Sequence, residues 1–143
     1  MTYSDPLESN AVSIQKGERC LNWLGTHLLL ELGDCNPKLL NDLEYIKRTM
    51  ISAAEAIGAQ IVGQSFHKFS PQGVTGVLAI AESHLSIHTW PEYSYAAADL
   101  FTCGDGIDPT IAAKILIQKL DSKEPEQRII RRGIKSLPLI YRV

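Results

Sequence analysis

Residues 82–92 read Glu82-Ser83-His84-Leu85-Ser86-Ile87-His88-Thr89-Trp90-Pro91-Glu92, and Tyr95-Ala96-Ala97-Ala98-Asp99-Leu100-Phe101-Thr102-Cys103-Gly104 follows almost at once. Leu85 to Trp90 and Tyr95 to Phe101 are two strand-like runs separated around Pro91-Glu92. So short a connection makes them antiparallel neighbours, and Pro91 ends the first because it has no N–H for a ladder. The same stretch is dense in reactive groups. It carries carboxylates, hydroxyls, two imidazoles and an indole, and the second strand ends in a thiol beside a glycine turn. Ser83, His88 and Cys103 are thereby drawn toward one site.

Working outward, two further strands, Ala59 to Phe69 and Val74 to Ala81, are split by the turn-forming Ser70-Pro71-Gln72-Gly73. The first strand is Leu24 to Leu32, closed by Gly33-Asp34. On it His27 and Glu31 are four apart and face the same side. A hydrogen-bonded sheet histidine and a rim carboxylate account for them as readily as a site does. Asn36-Pro37 starts a helix, a capping side chain followed by proline at the first helical position. Leu39, Leu43, Ile46, Met50, Ala53 and Ile57 give it one apolar face, and Gly58 stops it. Asp108-Pro109 starts a second helix with Ile111, Ile115, Leu116 and Leu120 on its apolar face. Pro125 breaks the chain before a last strand, Arg128 to Ile134.

The order β-α-β-β-β-β-α-β predicts an α+β fold, a two-layer sandwich with both helices on one face of an antiparallel sheet. The other sheet face is left without cover, which makes a partner subunit plausible. Residues 1–22 are polar and without period, and are expected to be a mobile N-terminal extension to a single domain over 23–143.

Bulk properties narrow the function. With 143 residues, 45% hydrophobic and 21% charged, the composition is that of one ordinary globular domain. A net charge of -2 supplies no basic face for a nucleic acid, so no nucleic-acid partner is expected. The apolar runs are short and interrupted by charges, so no membrane partner is expected either. Asp5, Glu8 and Lys16 interrupt the N-terminus before any secretory apolar region. Cys20, Cys35 and Cys103 are an odd number without a CxxC pair and read as reduced thiols, which predicts a cytoplasmic protein.

Several chemistries compete for the central motif. His84 and His88 with Glu82, Glu92 or Cys103 are metal-ligand types, but no HExxH is present and no metal is expected. A serine hydrolase lacks its G-x-S-x-G elbow. A cysteine hydrolase using Cys103 and His88 is unspecific, although Gly104 could donate to an oxyanion. Taken singly, Ser83 could be a turn residue, His88 a core histidine and Cys103 a small buried hydrophobe.

The run Glu82 to Glu92 with Asp99 to Gly104 closely resembles the bacterial and archaeal S-adenosylmethionine decarboxylase proenzymes. The likeness extends from Leu24-Gly25-x-His27-Leu28-Leu29-x-Glu31 through Phe66-His67-x-Phe69 to the second helix, about residues 23 to 120. The resemblance implies self-cleavage between Glu82 and Ser83, giving a β chain of residues 1–82 and an α chain of residues 83–143. By this resemblance the Ser83 hydroxyl attacks the preceding carbonyl, the ester eliminates, and the residue becomes a covalently bound pyruvoyl group. His88 is the implied base for the α-proton. The pyruvoyl ketone would then form a Schiff base with the amine of S-adenosylmethionine and act as electron sink as carbon dioxide leaves. Cys103 is the implied donor of the returning proton, a role that suits a thiol, mostly protonated near neutrality when unperturbed. The product would feed spermidine synthesis.

For the substrate, Phe69 and Trp90 offer aromatic faces to the sulfonium and adenine, and Glu92 is the implied acceptor for the ribose hydroxyls, with Glu31 lining the site. Gly73-Val74-Thr75-Gly76 departs from the usual Gly-Val-Ser-Gly; Thr75 keeps the hydroxyl that is expected to support processing but adds a stiff methyl. The family also implies a dimer of αβ units. Two other readings stay open: the same chemistry on arginine or ornithine, or a catalytically silent regulatory homologue.

Overall fold

The computed structural model describes residues 22–134 apart from Glu82 and Asp105. In chain order the elements are β1 (Gly25–Gly33), α1 (Pro37–Leu40), α2 (Leu43–Ala56), β2 (Ile61–Lys68), β3 (Val74–Ile80), β4 (Ser83–Trp90), a 3-10 turn (Pro91–Tyr93), β5 (Tyr95–Cys103), α3 (Pro109–Lys119) and β6 (Glu124–Arg132). The six strands form one sheet in the order β2-β3-β4-β5-β1-β6, every neighbouring pair antiparallel. The expected α+β architecture is therefore present. The expected extension lies outside the described residues, save Asn22.

Strand alternation decides where the core sits, because successive side chains point to opposite faces. Leu28, Leu30 and Leu32 of β1, Val74, Leu78 and Ile80 of β3, Leu85 and Ile87 of β4, and Ala96, Ala98 and Leu100 of β5 are all buried on one face. They form one cluster with Ile46, Met50 and Ala53 of α2 and Ala112, Ala113 and Leu116 of α3. Each large side chain so buried contributes about 1.5–3 kcal/mol relative to exposure. Gly76 is required by this packing, since a Cβ there would lie 2.6 Å from the Phe66 ring and 2.8 Å from Met50 Sδ. On the opposite face, no element among the described residues covers the sheet.

Three boundaries differ from the sequence reading. The first helix is broken into α1 and α2, because Asn41-Asp42 restarts it: Asp42 Oδ1 accepts from the Tyr45 N–H at 3.0 Å, as Asn36 Oδ1 accepts from Lys38. Such short polar side chains compete with the helical ladder, while the unbroken apolar spacing from Leu39 to Leu43 conceals the restart. β4 begins at Ser83 and β5 runs to Cys103, so both residues are strand ends. Pro125 does not break the last strand but lies in it, opposite Leu32. It is tolerated because β6 is an edge strand.

Candidate active site

The hairpin from β3 to β4 closes with Ile80 paired to Ser83, and Ser83 is partly exposed at the head of its strand. Glu82 lies outside the described residues. β4 pairs with β5 through Leu85↔Leu100 and His84↔Phe101; continuing that register puts Thr102 level with Ser83 and Cys103 one residue further on. Cys103 is partly exposed, Gly25 of β1 is its other neighbour, and Gly104 turns the chain away with φ +86°. Ser83 and Cys103 thus sit on adjacent strands at one end of the sheet. Cys35 differs: it is buried, its thiol donates to the Leu32 carbonyl, and burial pushes its pKa up. That fits a packing role.

Beside Ser83 is a constellation that sequence reasoning did not assemble. Asp99 of β5 accepts from His27 Nε2 of β1 at 2.6 Å and from His84 Nε2 of β4 at 2.9 Å, both on Oδ2, while the Ser86 hydroxyl donates to Oδ1. Burial alone would raise the Asp99 pKa; the hydrogen bonds from Ser86, His27 and His84, with the electrostatic pull of His84, outweigh it and hold the carboxyl below its ordinary value. Both imidazoles pack against Phe101, and the Arg132 guanidinium lies 4.9 Å from that ring's centre. His27, His84 and Asp99 are also the group among the described residues whose ligand atoms lie close enough to hold a metal ion, within 4.8 Å of one another. Each ring nitrogen that faces the carboxylate is already used in a hydrogen bond to it. The available signal was a lone carboxylate within the otherwise apolar Ala96 to Phe101 run, which is costly unless it finds partners.

The remaining candidates other than Glu92 gather further along the same open face. His88 is exposed, and its Nδ1 is hydrogen-bonded to Thr75 Oγ1 at 3.0 Å, since the two residues are paired across β3 and β4. Trp90 stacks on Tyr95 with centroids 5.5 Å apart, and the Tyr95 hydroxyl donates to Glu31. Burial first, then that carboxylate, pushes the Tyr95 pKa up to about 12. Phe69 is 49% exposed and meets His67 edge-on at 4.6 Å. Glu92 lies in the 3-10 turn and lines an open depression with Lys38, Asn41 and Gln72.

The structure joins His88 to Thr75 and sets Ser83 beside Cys103, but keeps the two pairs apart within one chain. Five steps along an extended strand separate Ser83 from His88, roughly 16 Å, and their positions alternate to opposite faces.

The sequence pattern of the family described as S-adenosylmethionine decarboxylase matches residues 26–133. The chain belongs to the S-adenosylmethionine decarboxylase family. It is 52% identical over 113 residues to the S-adenosylmethionine decarboxylase proenzyme of Thermodesulfovibrio yellowstonii, covering 79% of this chain and 84% of that protein. With the proenzyme of Clostridium tetani it shares 49% identity over 119 residues, 83% of this chain and 94% of that one. The crystal structure of the adenosylmethionine decarboxylase from Aquifex aeolicus superposes with a TM-score of 0.77 at 31% identity, covering 82% of this chain and 98% of that one. The decarboxylase family match runs from the second residue of β1 through the end of β6.

Proposed function

We propose that this chain is a self-cleaving S-adenosylmethionine decarboxylase whose cofactor is a pyruvoyl group made from Ser83. The observation that carries the reading is the position of Ser83 at the accessible head of β4, beside the strand that ends in Cys103. The residues present fit such a group. A hydroxyl at a strand head borders a turn, where the chain can part without dismantling the ladder, and the thiol lies on the neighbouring strand. Once formed, the pyruvoyl group supplies a ketone that withdraws electrons from the substrate carbon as carbon dioxide leaves.

The chain's own residues divide the remaining work. Ser83 contributes the oxygen that takes over the acyl group of residue 82 and is then lost by elimination. Cys103 holds the proton that is returned to the substrate carbon. His88 takes the α-proton during cleavage on Nε2, oriented by the hydrogen bond that its Nδ1–H donates to Thr75 Oγ1. The Trp90–Tyr95 stack with the Glu31 carboxylate suits a cationic sulfonium beside an adenine, and Glu92 and Phe69 complete the contacts to the nucleoside.

Because His88, Thr75 and the aromatic stack lie too far from Ser83 along the same strands, a second copy brings them to it. The uncovered sheet face is the surface across which the two copies meet, each site taking Cys103 and the head of β4, where the chain is cut, from one copy and His88 from the other.

Intact-mass measurement of purified protein tests the reading. Two species are expected, residues 1–82 and residues 83–143 with residue 83 as pyruvoyl, together with carbon dioxide release from S-adenosylmethionine. A single uncleaved 143-residue species, or release from arginine or ornithine instead, would falsify it.

A further inference from the structure

We propose that Asp99, bridging His27 and His84, clamps the chain end that cleavage creates, so that these three are positioning residues for residue 83. The inference rests on the reading above, since it needs that chain end to exist. Cleavage before Ser83 removes the covalent link from β3 to β4 and leaves residue 83 as a strand terminus. Free strand ends fray unless something ties them down. The first side chain past the cut is His84.

The geometry ties that side chain down through one carboxylate and one aromatic ring. His84 donates to Asp99 Oδ2, and Ser86, two residues further along the same face of β4, donates to the other oxygen. One carboxylate thereby grips β4 at two successive positions of that face. The carboxylate is in turn fixed by His27 from β1, the strand beyond β5. Phe101 fills the space between the imidazoles, with ring centres 5.3 Å from His27 and 6.2 Å from His84. Three adjacent strands are thus linked across one charged acceptor.

Core packing does not call for this bridge. Within one chain the groups lie on the face away from the helices, outside the hydrophobic cluster, at 18% exposure for His27, 22% for Asp99 and 39% for His84. The bridge is, however, adjacent to the residue that carries the chemistry. A displacement of about 1 Å at a reacting centre can cost on the order of 100-fold in rate. A loose residue 83 would also misplace the group relative to Cys103 on β5, whereas a clamp anchored on β5 holds the two in one frame.

The test compares Asp99→Asn, His27→Gln and His27→Leu with wild type. Four quantities are measured: the cleaved fraction by mass, kcat per cleaved chain, KM, and amide exchange over residues 84–86. Asn presents an N–H where an acceptor is needed, and is expected to lower kcat per cleaved chain about 10- to 100-fold, with KM changed less than about twofold and exchange at 84–86 accelerated. Gln keeps an N–H near the place of His Nε2 and should restore most of the rate that His27→Leu loses. Unchanged kcat and exchange in cleaved Asp99→Asn overturns the clamp, as does a loss confined to KM, which would mark a substrate contact. If Asp99→Asn fails to fold, the two His27 variants decide: equal damage in Gln and Leu overturns the proposal. An uncleaved wild type sinks the decarboxylase reading and the clamp with it. A cleaved, active wild type with insensitive variants sinks the clamp alone.

Discussion

The two faces of the sheet are drawn from alternate residues of the same strands, yet they hold different kinds of side chain. Toward the helices β4 presents Leu85, Ile87 and the buried Thr89; away from them it presents His84, Ser86, His88 and Trp90. In β5 the inner set is Ala96, Ala98 and Leu100, and the outer set is Tyr95, Asp99, Phe101 and Cys103. A repeat of two lets a single strand stabilise the domain with one set of residues and carry chemistry with the other. Substitutions on the two faces should therefore fail in different ways.

Five measurements press on that contrast, from the largest effect to the smallest. Ser83→Ala removes the attacking oxygen; mass analysis should find no cleavage and assays no decarboxylation, and residual turnover at wild-type rate would end the reading. Cys103→Ala should still cleave but lose about 10²–10⁴-fold in decarboxylation, the span of a positioned proton donor. Leu78→Ala, on the inner face and fully buried, should cost about 2–5 kcal/mol in denaturant unfolding and leave kcat per folded molecule nearly unchanged. Trp90→Ala, on the outer face, should do the reverse. KM for the nucleoside substrate should rise about tenfold, in line with roughly 1–3 kcal/mol for a lost aromatic stack, with little change in unfolding free energy.

The fifth and smallest effect is in acid. Asp99 has a folded pKa below its ordinary value near 3.8, so its contribution to stability is present above that value and is lost as pH falls through the depressed one. Asp99→Asn should accordingly flatten the acid limb of the unfolding curve below about pH 4. An unaltered limb would mean that the bridge does not help to hold the fold together.

Much of the fold was legible because its signals are local. Asn36-Pro37 and Asp108-Pro109 mark helix starts, and Ser70-Pro71-Gln72-Gly73 separates two strands by composition alone. Pro125 was misread since its meaning depends on whether a neighbouring strand needs its N–H, a property of sheet order. The site divides in the same way. Ser83, His88 and Cys103 stand in a recognisable run, but their separation into two pairs follows from strand length and register. Asp99 gained its importance from His27, 72 residues away in the chain, and no local pattern announces such a meeting.

The outer strands of the sheet carry their own consequence. β2 is irregular between Ile61 and Gly63, and β6 bears Pro125 with Arg128, Arg131 and Arg132 along it. A bulge, a proline and a row of cations each discourage a foreign strand from docking by backbone hydrogen bonds. Lateral growth into ribbons or fibrils is thereby disfavoured.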